Sequence, residues 1–249
     1  MKVSVITATF NRENTVRRAI ASVKSQNYSN IEVVVIDGGS ADSTVDYVRP
    51  LLNENDILVT ETDDGIYDAL NKGVRLASGE IIAFLHSDDM YFDNDVISKV
   101  AALFKDDTID MVYGDVSFFS EENVDKITRV YRSNKLSTKN LSWGKMPAHP
   151  AIFLRKSVYE KHGVFKTTYR IAGDYEFLCR LATKAKVNAV YLGDILVKMQ
   201  TGGISTGGVR NTILLNKEVL RACAENGIYT NILMILSKYP SKIMQFIVN

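Results

Sequence analysis

The chain has 249 residues, 46% of them apolar and 24% charged, and a formal net charge of +1. That is enough to bury the core of one large α/β unit or two small ones, and it gives no global positive field to draw nucleic acid. The two cysteines, Cys179 and Cys223, form no C-x-x-C pair, which speaks against a structural zinc site and suits buried thiols in a reducing compartment.

The elements follow in chain order. Val3 to Ile6 is a short apolar run, the pattern of a buried strand, and the chain then meets Asn11, Arg12 and Glu13 too soon for a signal peptide. Val16, Ala19, Ile20 and Val23 recur at helical spacing. Ile31 to Ile36 is a β-branched strand ending in the turn Asp37-Gly38-Gly39-Ser40. Val45, Val48, Leu51 and Leu52 predict a helix limited by Pro50, and Ile57 to Thr60 a third strand. Ile66, Leu70 and Val74 mark a helix, Glu80 to Leu85 a fourth strand, and Val96, Val100, Leu103 and Phe104 another helix. Such alternation predicts a parallel sheet covered on both faces, with ligands beyond the carboxyl ends of its strands.

The second half is less regular. Residues 109–119 and 126–131 read as extended and antiparallel, 151–154 as a strand, and 156–162 as a helix with His162 at its end. A helix opens near Asp174, a strand spans 187–192, and residues 209–226 read as a helix. No run of about 18 apolar residues exists to span a bilayer, so the chain is expected in the cytoplasm. The tail around Ile232, Leu233, Ile235 and Leu236, with Lys238 and Lys242, suits either packing on the domain or a peripheral contact with an anionic membrane face.

Chemistry concentrates in acidic turns after strands. Asp88 and Asp89 repel one another unless a cation sits beside them, and such oxygens suit Mg²⁺ or Mn²⁺; the plain alternative is a solvated loop. Asp37 and Asp64 could accept from a base or ribose, or could simply close their turns. Asp174, at the start of a helix, meets the needs of a general base or of a cap; Glu176 could assist it or serve the helix dipole. His86 and His149 could touch a diphosphate or be structural, and Gly202-Gly203-Ile204-Ser205 could be a phosphate-binding loop. No G-x-G-x-x-G follows the first strand, and neither G-x-x-x-x-G-K-[ST] nor G-x-S-x-G occurs, which disfavours dehydrogenases, P-loop proteins and α/β-hydrolases.

Taken together, these turns resemble family 2 glycosyltransferases of the GT-A fold. The pieces are Val3 to Arg12, Val35 to Ser40 with Asp42-Ser43-Thr44, Asp64 to Gly73, Ala77 to Glu80, Ser87-Asp88-Asp89, Gly163-Val164-Phe165, and Gly173 to Glu176 with Arg180. The resemblance covers about residues 1–205, judged by motif reading. It implies an α/β fold with a mixed, mainly parallel sheet, residues 1–110 binding a nucleotide sugar, 111–205 carrying the acceptor side and the base, and 206–249 a helical extension. It implies that Thr7, Ala8, Thr9, Asp37, Asp64, Asn71, Lys72 and Asp88 bind the donor, and that Asp89, with Asp88, holds a divalent metal. Asp174 would be the base, and His149 would lie near the donor phosphates or the acceptor. Two positions depart from the pattern: Gly38 stands where relatives often carry a second acid that reads uracil, and His86 where many have Asp.

The expected reaction is an inverting transfer from a nucleotide diphosphate sugar, UDP-hexose or UDP-N-acetylhexosamine favoured, to a hydroxyl of a glycan. The resemblance suggests a polyprenyl-diphosphate-linked saccharide, as in bacterial surface polysaccharide synthesis, reached from the inner face of the plasma membrane. The alternatives are a polyprenyl-phosphate sugar transferase, a sugar nucleotidyltransferase and a non-catalytic nucleotide-sugar-binding module.

Overall fold

The computed structural model describes residues 1–133, 135–202 and 208–237. Four strands, β1 (Val3–Thr9), β2 (Ile31–Asp37), β3 (Ile57–Thr60) and β4 (Ile81–Phe84), pair in parallel in the order β3-β2-β1-β4. Their side chains alternate between two cores, as the two-residue period of a strand requires. Val3, Val5, Val33, Val35, Ile81 and Ala83 enter one core; Ile6, Ala8, Val34, Ile36, Ile82 and Phe84 enter the other.

Helices α1 (Val16–Lys24) and α4 (Val96–Leu103) cover the first core with Val16, Ile20, Val23, Val96, Ile97 and Val100. Helix α2 (Thr44–Val48) passes into a 3₁₀ turn over Arg49–Leu51 with Pro50 near its start, so the helix expected through Leu52 stops early. Helix α3 (Ile66–Leu76) covers the second core and lies hard on β1. A Cβ at Gly73 would fall 2.3 Å from Ile6 Cγ2, so only glycine allows this approach.

The second half extends the same sheet with mixed polarity. β8 (Ile152–Arg155) lies antiparallel on β4, β6 (Met111–Ser120) antiparallel on β8, and β9 (Ala189–Gln200) parallel to β6. β6 and β7 (Asn123–Tyr131) form the antiparallel pair expected from the sequence. The two-residue β5 (Met90–Tyr91) pairs with β9. β9 runs well beyond the predicted end at Leu192: Gly193, at φ +81°, marks a register shift through which the strand continues. Helices α5 (Thr138–Ser142), α6 (Lys156–His162), α7 (Gly173–Arg180), α8 (Val209–Glu225) and α9 (Ile232–Leu236) complete the fold.

Helix α8 packs into the second core through Val219, Ala222 and Cys223, alongside Cys179 and Tyr175 of α7. Tail residue Ile235 is buried in that core, as the packing reading expected, while Ile232, Leu233 and Leu236 are exposed. Lys238 and Lys242 lie outside the described residues. Among the described residues no helix is long and apolar enough to cross a membrane.

Candidate active site

The acidic pair sits in the turn between β4 and β5, closed by the Asp89 N–H donating to the His86 carbonyl at 3.1 Å. Asp89 is buried at 2% exposure. Its Oδ1 accepts from the Gln200 N–H at 3.2 Å, and its Oδ2 has no hydrogen-bond partner among the described residues. Burial pushes this carboxyl well above its ordinary range and the charge of Asp88 adds to the push, while the Gln200 N–H and Arg18 oppose it. Arg18, from α1, donates to the Asp88 carbonyl at 3.3 Å and to Gln200 Oε1 at 2.8 Å, with its guanidinium 5.0 Å from the centre of the Phe119 ring. Gln200 is positioned by the extra length of β9.

Asp174 stands in the first turn of α7, where its side chain keeps partial access to solvent. Its Oδ1 accepts from the Tyr175 N–H at 2.8 Å. The Tyr67 hydroxyl lies 2.7 Å from the Ile171 carbonyl oxygen and 3.2 Å from Asp174 Oδ1, donating to one at a time. Burial pushes the Asp174 carboxyl up to about 6, against the Tyr175 N–H and the Tyr67 hydroxyl, which pull it down. Tyr67 lies so close to the helix that a Cβ at Gly173 would be 2.8 Å from its ring. A series of packed rings links this corner to the acidic pair: Tyr67 to Phe165 at 5.7 Å, Phe165 to His149 at 5.6 Å, and His149 to His86 at 6.0 Å.

His149 is buried, stacked 5.1 Å from Phe84, with Nε2 lacking a hydrogen-bond partner among the described residues. Burial, then neighbouring His86, lowers its pKa to about 3, so it is a neutral ring with a lone pair available. Burial also lowers His86, while Asp88 opposes the shift.

Among the other residues singled out in the sequence, Thr7, Ala8 and Thr9 are buried at the end of β1, and the hydroxyls of Thr7 and Thr9 have no partner. Asp37 accepts from the N–H groups of Gly39 and Ser40 at 3.2 and 3.0 Å and from the Ser40 hydroxyl, which occupies it within its own turn. At Gly38 a Cβ would meet Asp63 Oδ2 at 3.2 Å and the Phe10 ring at 3.4 Å, a tight fit that a small shift of Asp63 would relieve. Asp64 is exposed and lines a cleft of about 500 Å³ with Gly65, Tyr67, Thr168, Tyr169 and Arg170.

Asn71 and Lys72 are engaged within the protein. The Asn71 amide grips the Phe165 backbone from both sides, at 2.8 and 3.0 Å, and so places that ring in the series. Lys72 Nζ bridges Glu61, Asp63 and Asp68 at 2.9, 2.6 and 3.2 Å, which holds the loop before α3. Glu176 does not join Asp174. It is fully buried, paired with Lys166 at 2.9 Å and Arg180 at 3.2 Å, and two positions along a helix is nearly half a turn away. It anchors α7 and has no free face toward the cleft. Gly203, Ile204 and Ser205 of the glycine loop lie outside the described residues.

Four residues escape the sequence reading. Tyr67 sits inside the matching D-G-I-Y stretch; Gln200 lies past the predicted end of its strand; Arg18 and Glu218, the latter accepting from the N–H groups of Arg170, Ile171 and Ala172 ahead of α7, stand on helices and carry no motif. Among the described residues no group of three or more His, Cys, Asp or Glu side chains is arranged to hold a metal ion by itself.

The family model for glycosyl transferase family 2 matches residues 4–163. A similar curated protein is a PGL/p-HBAD biosynthesis glycosyltransferase of Mycobacterium bovis, 31% identical over 222 residues, which span 88% of this chain and 82% of that protein. Among solved structures, S. aureus TarS 1-349 in complex with UDP-GlcNAc superposes with a TM-score of 0.70 at 20% identity, covering 93% of this chain and 68% of that one. Mannosyltransferase PcManGT from Pyrobaculum calidifontis, in complex with GDP-Man and Mn²⁺, gives a TM-score of 0.65 at 20% identity, covering 92% of this chain and 65% of that one. The chain spans 40% of the longer TarS chain. The architecture is the α/β GT-A fold that the sequence led us to expect.

Proposed function

The chain belongs to glycosyl transferase family 2, and from that premise we propose that it moves a sugar from a nucleotide diphosphate donor to a hydroxyl of a glycan acceptor, with inversion at the anomeric carbon and Asp174 as base. The observation that carries the reading is the state of Asp174: a partly open carboxylate in the first turn of α7, basic enough at about 6 to accept a proton yet ionised at neutral pH. Asp174 takes the proton of the acceptor hydroxyl as its oxygen forms the new bond to the anomeric carbon. The bond from that carbon to the diphosphate breaks, and the nucleoside diphosphate leaves with the electron pair. A single base and no covalent nucleophile give one displacement, hence inversion.

The residues of the acidic turn fit a divalent cation, Mn²⁺ or Mg²⁺. Asp89 offers a buried carboxylate oxygen without a partner, beside a second carboxylate whose charge a cation would offset. Such an ion, held by Asp89 with Asp88, would neutralise charge developing on the departing diphosphate, whose own oxygens would complete the ligand set. Neutral His149, with its unpartnered Nε2, supports a place for it beside the phosphates or the acceptor. Thr7, Ala8, Thr9 and Asp64 lie at the ends of strands or in the turns after them, where donors bind in open α/β sheets. Asp37 would meet a nucleoside only by exchanging a hydrogen bond of its turn. Asn71 and Lys72 would serve the donor by holding Phe165 and the loop before α3.

A UDP-sugar, UDP-hexose or UDP-N-acetylhexosamine, is the donor we favour. The solved neighbours are in complex with UDP-GlcNAc in one case and GDP-Man in the other, which makes the base the open choice. For the acceptor we favour a polyprenyl-diphosphate-linked saccharide met at a membrane surface. The exposure of Trp143, Tyr229, Ile232 and Leu233 supports that contact, with Thr230 tying the α9 segment to Ser142 at 2.6 Å. A donor panel assayed with and without Mn²⁺, reading the nucleoside diphosphate released, tests the proposal. Release of UDP from a UDP-sugar, dependent on metal, is expected; nucleoside monophosphate as product, or no turnover of any donor, would overturn it.

A further inference from the structure

Helix α7, which carries Asp174, begins at a turn whose backbone donors are taken by a side chain from far along the chain. Glu218 of α8 accepts from the N–H of Arg170 at 2.7 Å through Oε1, and from the N–H groups of Ile171 and Ala172 at 2.9 and 2.8 Å through Oε2. Glu218 is buried at 7% exposure, and no cation among the described residues is paired with it. Three charge-assisted bonds from consecutive N–H groups fix the position of the segment entering the helix. Of the three, the Ala172 N–H belongs to the N-cap of α7, and the N–H groups of Arg170 and Ile171 lie just before it.

We propose that Glu218 is a positioning residue for Asp174: a carboxylate from the C-terminal helix that holds the three backbone amides before α7 and so fixes where its first turn, and the carboxyl on it, stands. This rests on the reading of Asp174 as the base. A second consequence follows from the same geometry. A helix start attracts negative charge and would hold a first-turn aspartate in its ionised, weakly basic form. Glu218 takes the donors of the segment before the helix, and Asp174 is met by the Tyr175 N–H, its own backbone N–H and the shared Tyr67 hydroxyl. Glu218 also places a second negative charge near Asp174, which keeps the latter's carboxyl more basic. The groups that face Asp174 are thus Tyr67 from α3 and Glu218 from α8; Arg170, in the segment between, lines the cleft beside it.

The test is Glu218→Gln in the full-length protein, with its melting curve confirming the fold. The amide keeps one acceptor oxygen where two served three donors, and it removes the charge. Expected are a fall in kcat of about 10–100-fold, from a small misplacement of the base, an unchanged donor KM, and an acid limb of the rate profile displaced to lower pH. ¹³C NMR of the Asp174 carboxyl, assigned by its absence in Asp174→Asn, should show its titration midpoint falling from near 6. A folded Glu218→Gln protein with wild-type kcat and an unmoved Asp174 midpoint overturns the proposal. If that variant does not fold, Glu218→Asp decides in its place: it retains the charge but is one methylene short, so kcat should fall while the midpoint stays near 6, and wild-type kcat would overturn the proposal. Normal turnover in Asp174→Asn would remove the base reading alone, because the NMR midpoint still reports whether Glu218 acts on Asp174.

Discussion

Asp89 and Asp174 are both carboxyls pushed upward by burial, yet the two corners of the molecule leave them in need of different things. Asp89 is sealed, with one oxygen unpartnered and another carboxylate one residue away. What relieves it is a proton or, in the function we propose, a cation. Asp174 keeps a path to solvent, has a backbone N–H and a phenol beside it, and faces the charge of Glu218 across the start of its helix. What relieves it is a proton. In the function we propose, one side-chain type is thereby set to two tasks by its surroundings, a cation holder and a proton acceptor.

The sharpest way to break this contrast is to neutralise each acid in turn. Asp174→Asn should lower kcat by about 10³-fold, within the range for loss of a general base, while calorimetry finds nucleotide binding unchanged; full turnover would make the two corners equivalent. Asp89→Ala should do the reverse at the binding step. Affinity for UDP in the presence of Mn²⁺ should fall about 100-fold, with little loss when the metal is omitted. A smaller effect is expected from Gly173→Ala, whose methyl meets the Tyr67 ring at 2.8 Å. Displacing that ring should cost about 1–3 kcal/mol of stability and reduce kcat more than donor affinity, measured by denaturant unfolding and steady-state kinetics.

The smallest effect is a pH dependence. The Asp174 carboxyl stands at about 6 against an ordinary 3.8, so the native protein binds more protons than the unfolded chain between those values. Stability therefore falls as pH rises through that window, and the cost is fully present above it. Asp174→Asn, free of that cost, should be about 1–2 kcal/mol more stable than wild type at pH 8, after allowance for solvent screening, with the gain gone below pH 4. A constant difference across pH would show that the carboxyl is not held basic by its surroundings.

How far these corners could be read from residues alone differs for physical reasons. The acidic turns follow strands whose β-branched runs are hard to mistake, so the sequence alone puts Asp37, Asp64, Asp88 and Asp89 at or just past strand ends. Local periodicity also found the helix that begins near Asp174. It fails where a strand passes through a bulge: the apolar run ends at Leu192, yet β9 continues through Gly193 to Gln200, and the Gln200 N–H is what reaches Asp89. The roles of Asn71, Lys72 and Glu176 depend on partners in other elements, which spacing cannot disclose. Glu218 is the extreme case. A lone acid in a long amphipathic helix reads as solvated surface, and only the tertiary approach of α8 to the segment before α7 turns it inward.

That approach also bears on how short a working enzyme can be made. The family match ends at residue 163 and the recognisable motifs at about 205. Trimming the gene to either point would strip Val219, Ala222 and Cys223 from the core, leave the amides of residues 170–172 without their acceptor, and deprive buried Glu176 of the Asn226 amide 3.4 Å away. A minimal expression product therefore extends at least through Asn226, and a library that shuffles C-terminal segments among relatives should exchange α7 and α8 as one cassette.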